Sequence, residues 1–134
     1  EYAQPVLIPS NSSIKLAEVK FPQLKEEEKE NVFYWVKLWE EGKLLSKGRY
    51  FFTTFGRINF PQAKVRYEVV EEERGYKVRL KTDVFAWFVR ISGVDEATLS
   101  DNYFDLFPEE EKEVFLTGIS KEDVKKLSVE WNNR

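Results

Sequence analysis

The 134-residue sequence contains no cysteine, no histidine and no methionine. Without cysteine there is neither a disulfide nor a thiolate metal site, and without histidine the commonest general base and metal ligand is missing. Neither a cofactor nor a metal is expected. The missing Cys and Met, beside 34% charged residues dominated by Glu and Lys, match the composition of hyperthermophile proteins. A thermophilic source is therefore expected. Excess charge is also lacking: 24 acids against 21 bases leave a net charge of −3, which supplies no electrostatic attraction for nucleic acid or an anionic membrane. Neither is expected as a partner. No apolar run approaches the ~20 residues that span a bilayer, and the opening Glu1-Tyr2-Ala3-Gln4-Pro5 has no signal-peptide character. A soluble chain is expected, cytoplasmic or secreted according to a longer parent, and the missing start methionine fits an excised fragment.

What the sequence does hold is aromatic. Eleven Phe, six Tyr and four Trp are spread along a length suited to one domain, read as 1–134, with a core burying roughly two thirds of the unfolded surface. The apolar pattern has period two in short runs, which predicts strands. Residues 5–9 and 14–21 read as the first strands and 25–31 as a charged loop. Residues 32–40 and 43–52 flank Glu41-Gly42, a hairpin turn in which glycine supplies positive φ. An irregular crossing over 53–62 leads to a second hairpin, 63–71 and 76–82, about Glu73-Arg74-Gly75. Strands over 84–91, 111–117 and 127–131 follow, the last after a helical turn started by the capping sequence Ser120-Lys121-Glu122-Asp123. Lys77, Arg79 and Lys81 alternate with Tyr76, Val78 and Leu80, one face for water and one for the core. Eight to ten strands predict an all-β, immunoglobulin-like two-sheet antiparallel β-sandwich.

Residues 99–108, Leu-Ser-Asp-Asn-Tyr-Phe-Asp-Leu-Phe-Pro, pose the sharpest question. Asp101 and Asn102 close turns by bonding nearby backbone, and Asn tolerates the left-handed conformation. Tyr103, Phe104 and Leu106 are expected to return to the core, with Pro108 and the acids Glu109, Glu110 and Glu111 at the solvent edge. This reads as a corner leading into the last hairpin. The segment resembles the Ser-Asp-Asn-aromatic-Phe-x-Leu-x-Pro signature near the end of β-mannosidases of glycoside hydrolase family 2. Asp83-Val84-Phe85-Ala86-Trp87-Phe88-Val89 is similar to the family strand before that corner, and Phe60-Pro61-Gln62-Ala63-Lys64-Val65 to its Phe-Pro-x-x-Lys crossing. The resemblance covers roughly the second half of the chain; the first half agrees in strand pattern alone. It implies the C-terminal immunoglobulin-like domain of a larger glycoside hydrolase. One departure is Glu109 where the family has glycine, which makes a positive φ there unexpected.

Retaining glycoside hydrolysis uses two carboxylates about 5 Å apart on a rigid scaffold. In the resembled family both stand on a (β/α)₈ barrel of about 250 residues, which this chain is too short to contain. No catalytic residue is assigned. Glu109 to Glu111, or Asp101 with Asp105, have neighbours that neither bury nor isolate one acid of a pair. Asp101, Asn102 and Asp105 offer oxygen ligands for calcium, but their spacing fits no known loop and a turn is the better reading.

The strand over 32–40 puts Phe33, Trp35, Lys37 and Trp39 on one face and Val32, Tyr34, Val36 and Leu38 on the other. Three readings stay open for its aromatics: core, docking surface for other domains of the parent, or a carbohydrate platform in which Phe33, Trp35 and Trp39 grip mannan or another β-linked polysaccharide. Trp87 reads as core, and Trp131 as either core or surface. The sequon Asn11-Ser12-Ser13 receives no role. The function expected is a non-catalytic accessory domain that packs against and stabilises the catalytic assembly. The alternatives are a carbohydrate-binding module and a free-standing adhesion-type domain.

Overall fold

The computed structural model describes residues 5–15, 18, 20, 21 and 23–133. Where the sequence reads as one domain, chain packing forms two compact units, Glu1–Ile58 and Asn59–Arg134. Among the described residues no helix is long and apolar enough to cross a membrane.

In the first unit the predicted loop over 25–31 contains a single helical turn, α1 (Glu26–Lys29). The Glu28 carboxylate accepts the Lys25 backbone N–H at 2.7 Å, and acids in a first turn suit the helix dipole. Strands β1 (Phe33–Glu40) and β2 (Lys43–Phe51) pair antiparallel from Phe33↔Phe51 to Glu40↔Lys43. Glu41 and Gly42, at φ 46° and 81°, form the type I′ turn that twists with the strands it joins. The strands predicted over 5–9 and 14–21 do not form at residues 5–9, 14, 15, 18, 20 and 21; residues 16, 17 and 19 lie outside the described residues. Pro5 and Pro9 lack the N–H a ladder needs, and an alternating pattern brings no pairing partner with it. No described residue of this unit is fully buried.

The second unit is the immunoglobulin-like sandwich. One sheet has strand order β3-β4-β8-β6 and the other β7-β5-β9. The strands are β3 (Val65–Glu72), β4 (Gly75–Thr82), β5 (Ala86–Ser92), β6 (Thr98–Leu99), β7 (Phe104–Leu106), β8 (Lys112–Thr117) and β9 (Ser128–Glu130). Period-two alternation turns Val78, Leu80, Val114 and Leu116 of one sheet toward Ala86, Val89, Ile91, Leu106 and Val129 of the other, and these form one core. Ser120 holds the predicted capping turn: its hydroxyl oxygen accepts the Asp123 N–H at 3.1 Å, and a 3-10 turn follows over Val124–Lys126.

The turn after β7 departs from expectation. Glu109 has φ 67°, in the left-handed region, and the Glu110 N–H reaches the Phe107 carbonyl at 3.3 Å. Pro108 at the first central position and positive φ at the second define a type II turn, so proline sets a geometry that glycine would fill without strain. Glu109→Gly is accordingly expected to raise stability by about 1 kcal/mol, read as an increased denaturant midpoint with an unchanged slope. A drop in the midpoint would contradict the strain.

Candidate functional site

The corner is built from the motif outward. Ser100 exchanges bonds with Phe115 of β8: its N–H donates to the Phe115 carbonyl at 2.9 Å, and its hydroxyl accepts the Phe115 N–H at 2.9 Å. Asp101 accepts the Asn102 N–H at 2.8 Å and pairs through its other oxygen with the Lys112 ammonium. The Asn102 side chain clasps Ile91 of β5 on both backbone groups: Oδ1 accepts the Ile91 N–H at 2.9 Å and Nδ2 donates to the Ile91 carbonyl at 3.0 Å. Oδ1 also accepts the Tyr103 N–H at 3.0 Å. Asp105 accepts the Phe88 N–H at 3.3 Å. These oxygens thus serve the backbone of β5 and the corner, an arrangement that positions strands. Among the described residues no group of three or more acids is placed to hold a metal ion.

Other long-range ties join the segments that carry the family resemblance. The Asp83 carboxylate accepts the N–H groups of Lys64 and Val84, each at 2.9 Å, and the Lys64 bond holds its carboxyl below the usual aspartate range. A folded pKa below the unfolded one contributes stability above the unfolded value and loses it as pH falls through the folded value. The stability gap between wild type and Asp83→Asn should therefore be widest near neutrality and narrow as pH falls below about 4, in urea melts across pH. A gap that stays constant with pH would contradict this role. Near the chain end, the buried Asn133 side chain accepts the Trp87 N–H at 2.9 Å and donates to the Pro61 and Phe85 carbonyls at 2.8 and 2.7 Å.

The outward face of β4 is charged and internally paired. Arg79 meets Glu68 and Glu113 at 3.1 and 3.2 Å, Lys77 meets Glu72 at 3.2 Å, and Lys81 meets Glu111 at 2.8 Å. Bonding to Glu72 raises the Lys77 pKa, and bonding to Lys81 lowers that of Glu111. The groove of about 520 Å³ here is lined by the paired Arg79, Glu68, Lys81 and Glu111 and also by Lys64 and Arg66. Glu111 is part of this surface ladder through its ion pair with Lys81.

Aromatic residues gather in two places. In the first unit, Trp35 and Trp39 are 45% and 55% exposed, Phe33 is half-buried, and the Phe33 and Trp35 rings lie 5.5 Å apart. The opposite face of the hairpin carries Tyr34 and Tyr50 with Phe21 and Phe52, the Phe21 and Tyr50 rings stacked at 5.3 Å. Both faces of β1 and β2 therefore bear aromatic clusters. In the second unit a chain of rings runs from Phe107 through Phe85, Phe60, Trp87 and Phe88 to Tyr103, each pair within 6.3 Å. Phe107 and Phe85 are buried, Phe60 and Trp87 half-buried, and Phe88 and Tyr103 exposed at 43% and 54%. Tyr103, expected in the core, points to water. Trp131 is half-buried and donates its indole N–H to the Ala63 carbonyl at 3.1 Å.

Alternation does not place Phe88 and Tyr103 at the surface: Phe88 sits at a bulge, and Tyr103 at the corner before β7. In β5, Ala86 faces Leu106 and Val89 faces Phe104, so one extra residue lies between them. Phe88 takes φ 55° and Tyr103 φ 59°, unusual for bulky side chains, and alternation fails at such points. The aromatic density of 85–88 was the available signal.

The family model of an Ig-fold domain of mannosidases matches residues 60–130, and that of a mannosidase Ig/CBM-like domain matches residues 1–55. No curated protein sequence matches the chain. Among solved structures, the chain is similar to the β-D-mannosidase of Dictyoglomus thermophilum, at 28% identity and a TM-score of 0.66 over 75% of this chain. The match spans 13% of that enzyme's length. With its larger sandwich unit matched almost from end to end, the chain belongs to the Ig-fold domain family of mannosidases.

Proposed function

We propose that the chain is a non-catalytic accessory segment of a β-mannosidase-like glycoside hydrolase, and that it packs against the other domains of its parent and stabilises the catalytic assembly. The observation that carries this reading is the first unit: a two-stranded hairpin with aromatic clusters on both faces and no fully buried residue among those described. An isolated hairpin is marginal in water, and broad exposed apolar surface marks a place where other protein packs. The occupant assigned to these faces is the rest of the parent polypeptide. The acids of the corner hold backbone, which leaves the glycosidic chemistry to another part of that polypeptide.

The reading is tested by deleting residues 1–134 from the parent enzyme and comparing the melting temperature and β-mannosidase activity of the two forms. The truncated form should melt several degrees lower and lose activity on prolonged warming. Equal melting temperature and equal activity would remove the stabilising role.

A second reading is favoured by the exposure of Trp35 and Trp39 on one face with Phe33 at its end. Sugars stack their C–H faces on such rings, so these three would grip a β-linked polysaccharide such as mannan. Trp35→Ala with Trp39→Ala would then abolish retardation of the chain in galactomannan gels, whereas an interface role predicts no retardation to lose.

A further inference from the structure

We propose that Phe88 and Tyr103, at the exposed end of the ring chain in the second unit, form with Arg90 a binding surface for a β-linked manno-oligosaccharide. Positive φ is natural for glycine and strained for a bulky side chain, yet two aromatic residues hold it side by side, at φ 55° and 59°. Asp105 secures the first by accepting the Phe88 N–H, and Asn102 the second by accepting the Tyr103 N–H. The outcome is a pair of rings 5.3 Å apart and tilted by 47°, held out from the sheet. Backbone strain kept by fixed hydrogen bonds is the kind of feature that marks a working surface.

The surroundings fit a sugar. Rings bind the apolar C–H faces of pyranoses, while neighbouring planar polar groups take the hydroxyls. Arg90 lines the same groove as Tyr103 and is ion-paired with Glu130, so its orientation is set before a ligand arrives. Tyr103 and Arg90 also border a groove of about 480 Å³ that continues past Ser92 and Asp95, which adds a hydroxyl and a carboxylate along the path of a short chain. A strip two rings wide with charged flanks suits an oligosaccharide better than a broad protein interface. The choice of mannose as the sugar rests on the mannosidase reading above.

The backbone also supplies clean variants. Phe88→Gly and Tyr103→Gly remove the rings at positions where glycine is the conformationally preferred residue, so the fold should survive. The 134-residue chain is titrated with mannotetraose while backbone amide resonances are followed by NMR. The expected result is saturable shifts centred on Arg90, Asn102 and Tyr103. In each glycine variant affinity should fall at least about tenfold, with the melting temperature unchanged or raised. No saturable shift in the wild type, unchanged affinity in the glycine variants, or loss confined to Trp35→Ala and Trp39→Ala would overturn the proposal. Binding by the isolated chain and thermal stability of the truncated parent are separate measurements, so either reading fails without the other.

Discussion

Replacing Asn133, the buried polar residue among those described, by alanine is expected to destabilise the sandwich unit by about 3–5 kcal/mol. The side chain is buried and makes three bonds to main chain, to the Trp87 N–H and to the carbonyls of Pro61 and Phe85. Its own carbonyl accepts the Ala63 N–H at 2.7 Å, so the residue links the chain end, the crossing before β3 and the start of β5. Alanine leaves three main-chain groups without these partners: the Phe85 carbonyl, whose bond is buried, costs about 1–3 kcal/mol, and the part-buried Trp87 N–H and Pro61 carbonyl add about 1 kcal/mol each. For a unit of this size the loss corresponds to a fall in melting temperature of roughly 15 °C or more. Asn132→Ala is the control: that residue is exposed and its contact is a backbone bond to the Trp87 carbonyl at 3.0 Å, which alanine keeps. It should shift stability by no more than about 0.5 kcal/mol. Equal effects at 132 and 133 in denaturant melts would contradict the assigned role.

Gly75→Ala should cost about 3 kcal/mol or more, through backbone and not through lost contacts. Gly75 has φ +138°, and a Cβ there would lie 2.0 Å from the Leu116 carbonyl oxygen and 3.1 Å from its carbon. Leu116 is opposite Tyr76 in the β4–β8 ladder, so neither strand has room to retreat without breaking the pairing at the centre of the four-stranded sheet. Gly48 in β2 provides the contrast: a Cβ there meets nothing within 4 Å, and glycine weakens a strand interior. Gly48→Ala should be neutral or slightly stabilising. Amide hydrogen exchange separates the two cases, because Gly75→Ala should speed exchange in β4 and β8 specifically. Unchanged protection of those amides would show that the close approach is not maintained in solution.

The legible parts of the fold are those whose information is local. Glu41-Gly42 announces its hairpin because the turn type demands positive φ, and the alternation of Val78 and Leu80 with Lys77, Arg79 and Lys81 announces β4 because one face needs a core. The division after Ile58 is different: no linker composition marks it, and Gly56 and Pro61 read equally well as an irregular crossing inside one domain. Residues 5–9 have a strand-like pattern but no strand, since pairing depends on a distant partner that alternation does not name. Phe88 escaped because a bulged residue breaks the alternation of β5, and Tyr103 because its own positive φ, just before β7, takes it out of the strand pattern. Glu109 escaped because Pro108 fixes the turn where residue preference argued against it. Asn133 carries no local signal at all, since a polar residue beside a chain end resembles a tail until its three partners, 46 to 72 residues away, are in place.

The corner is where the sequence resemblance and the geometry meet. Asn102 and Asp105 bind backbone of β5 and Ser100 binds backbone of β8, and the segment takes the form of a structural joint in a sandwich. The most direct test is hydrolysis of an aryl β-mannoside by the purified 134-residue chain, run beside the proposed parent. The account predicts turnover by the parent and none above the blank for the chain. Hydrolysis by the chain that disappears in Asp105→Asn or Glu110→Gln would contradict it.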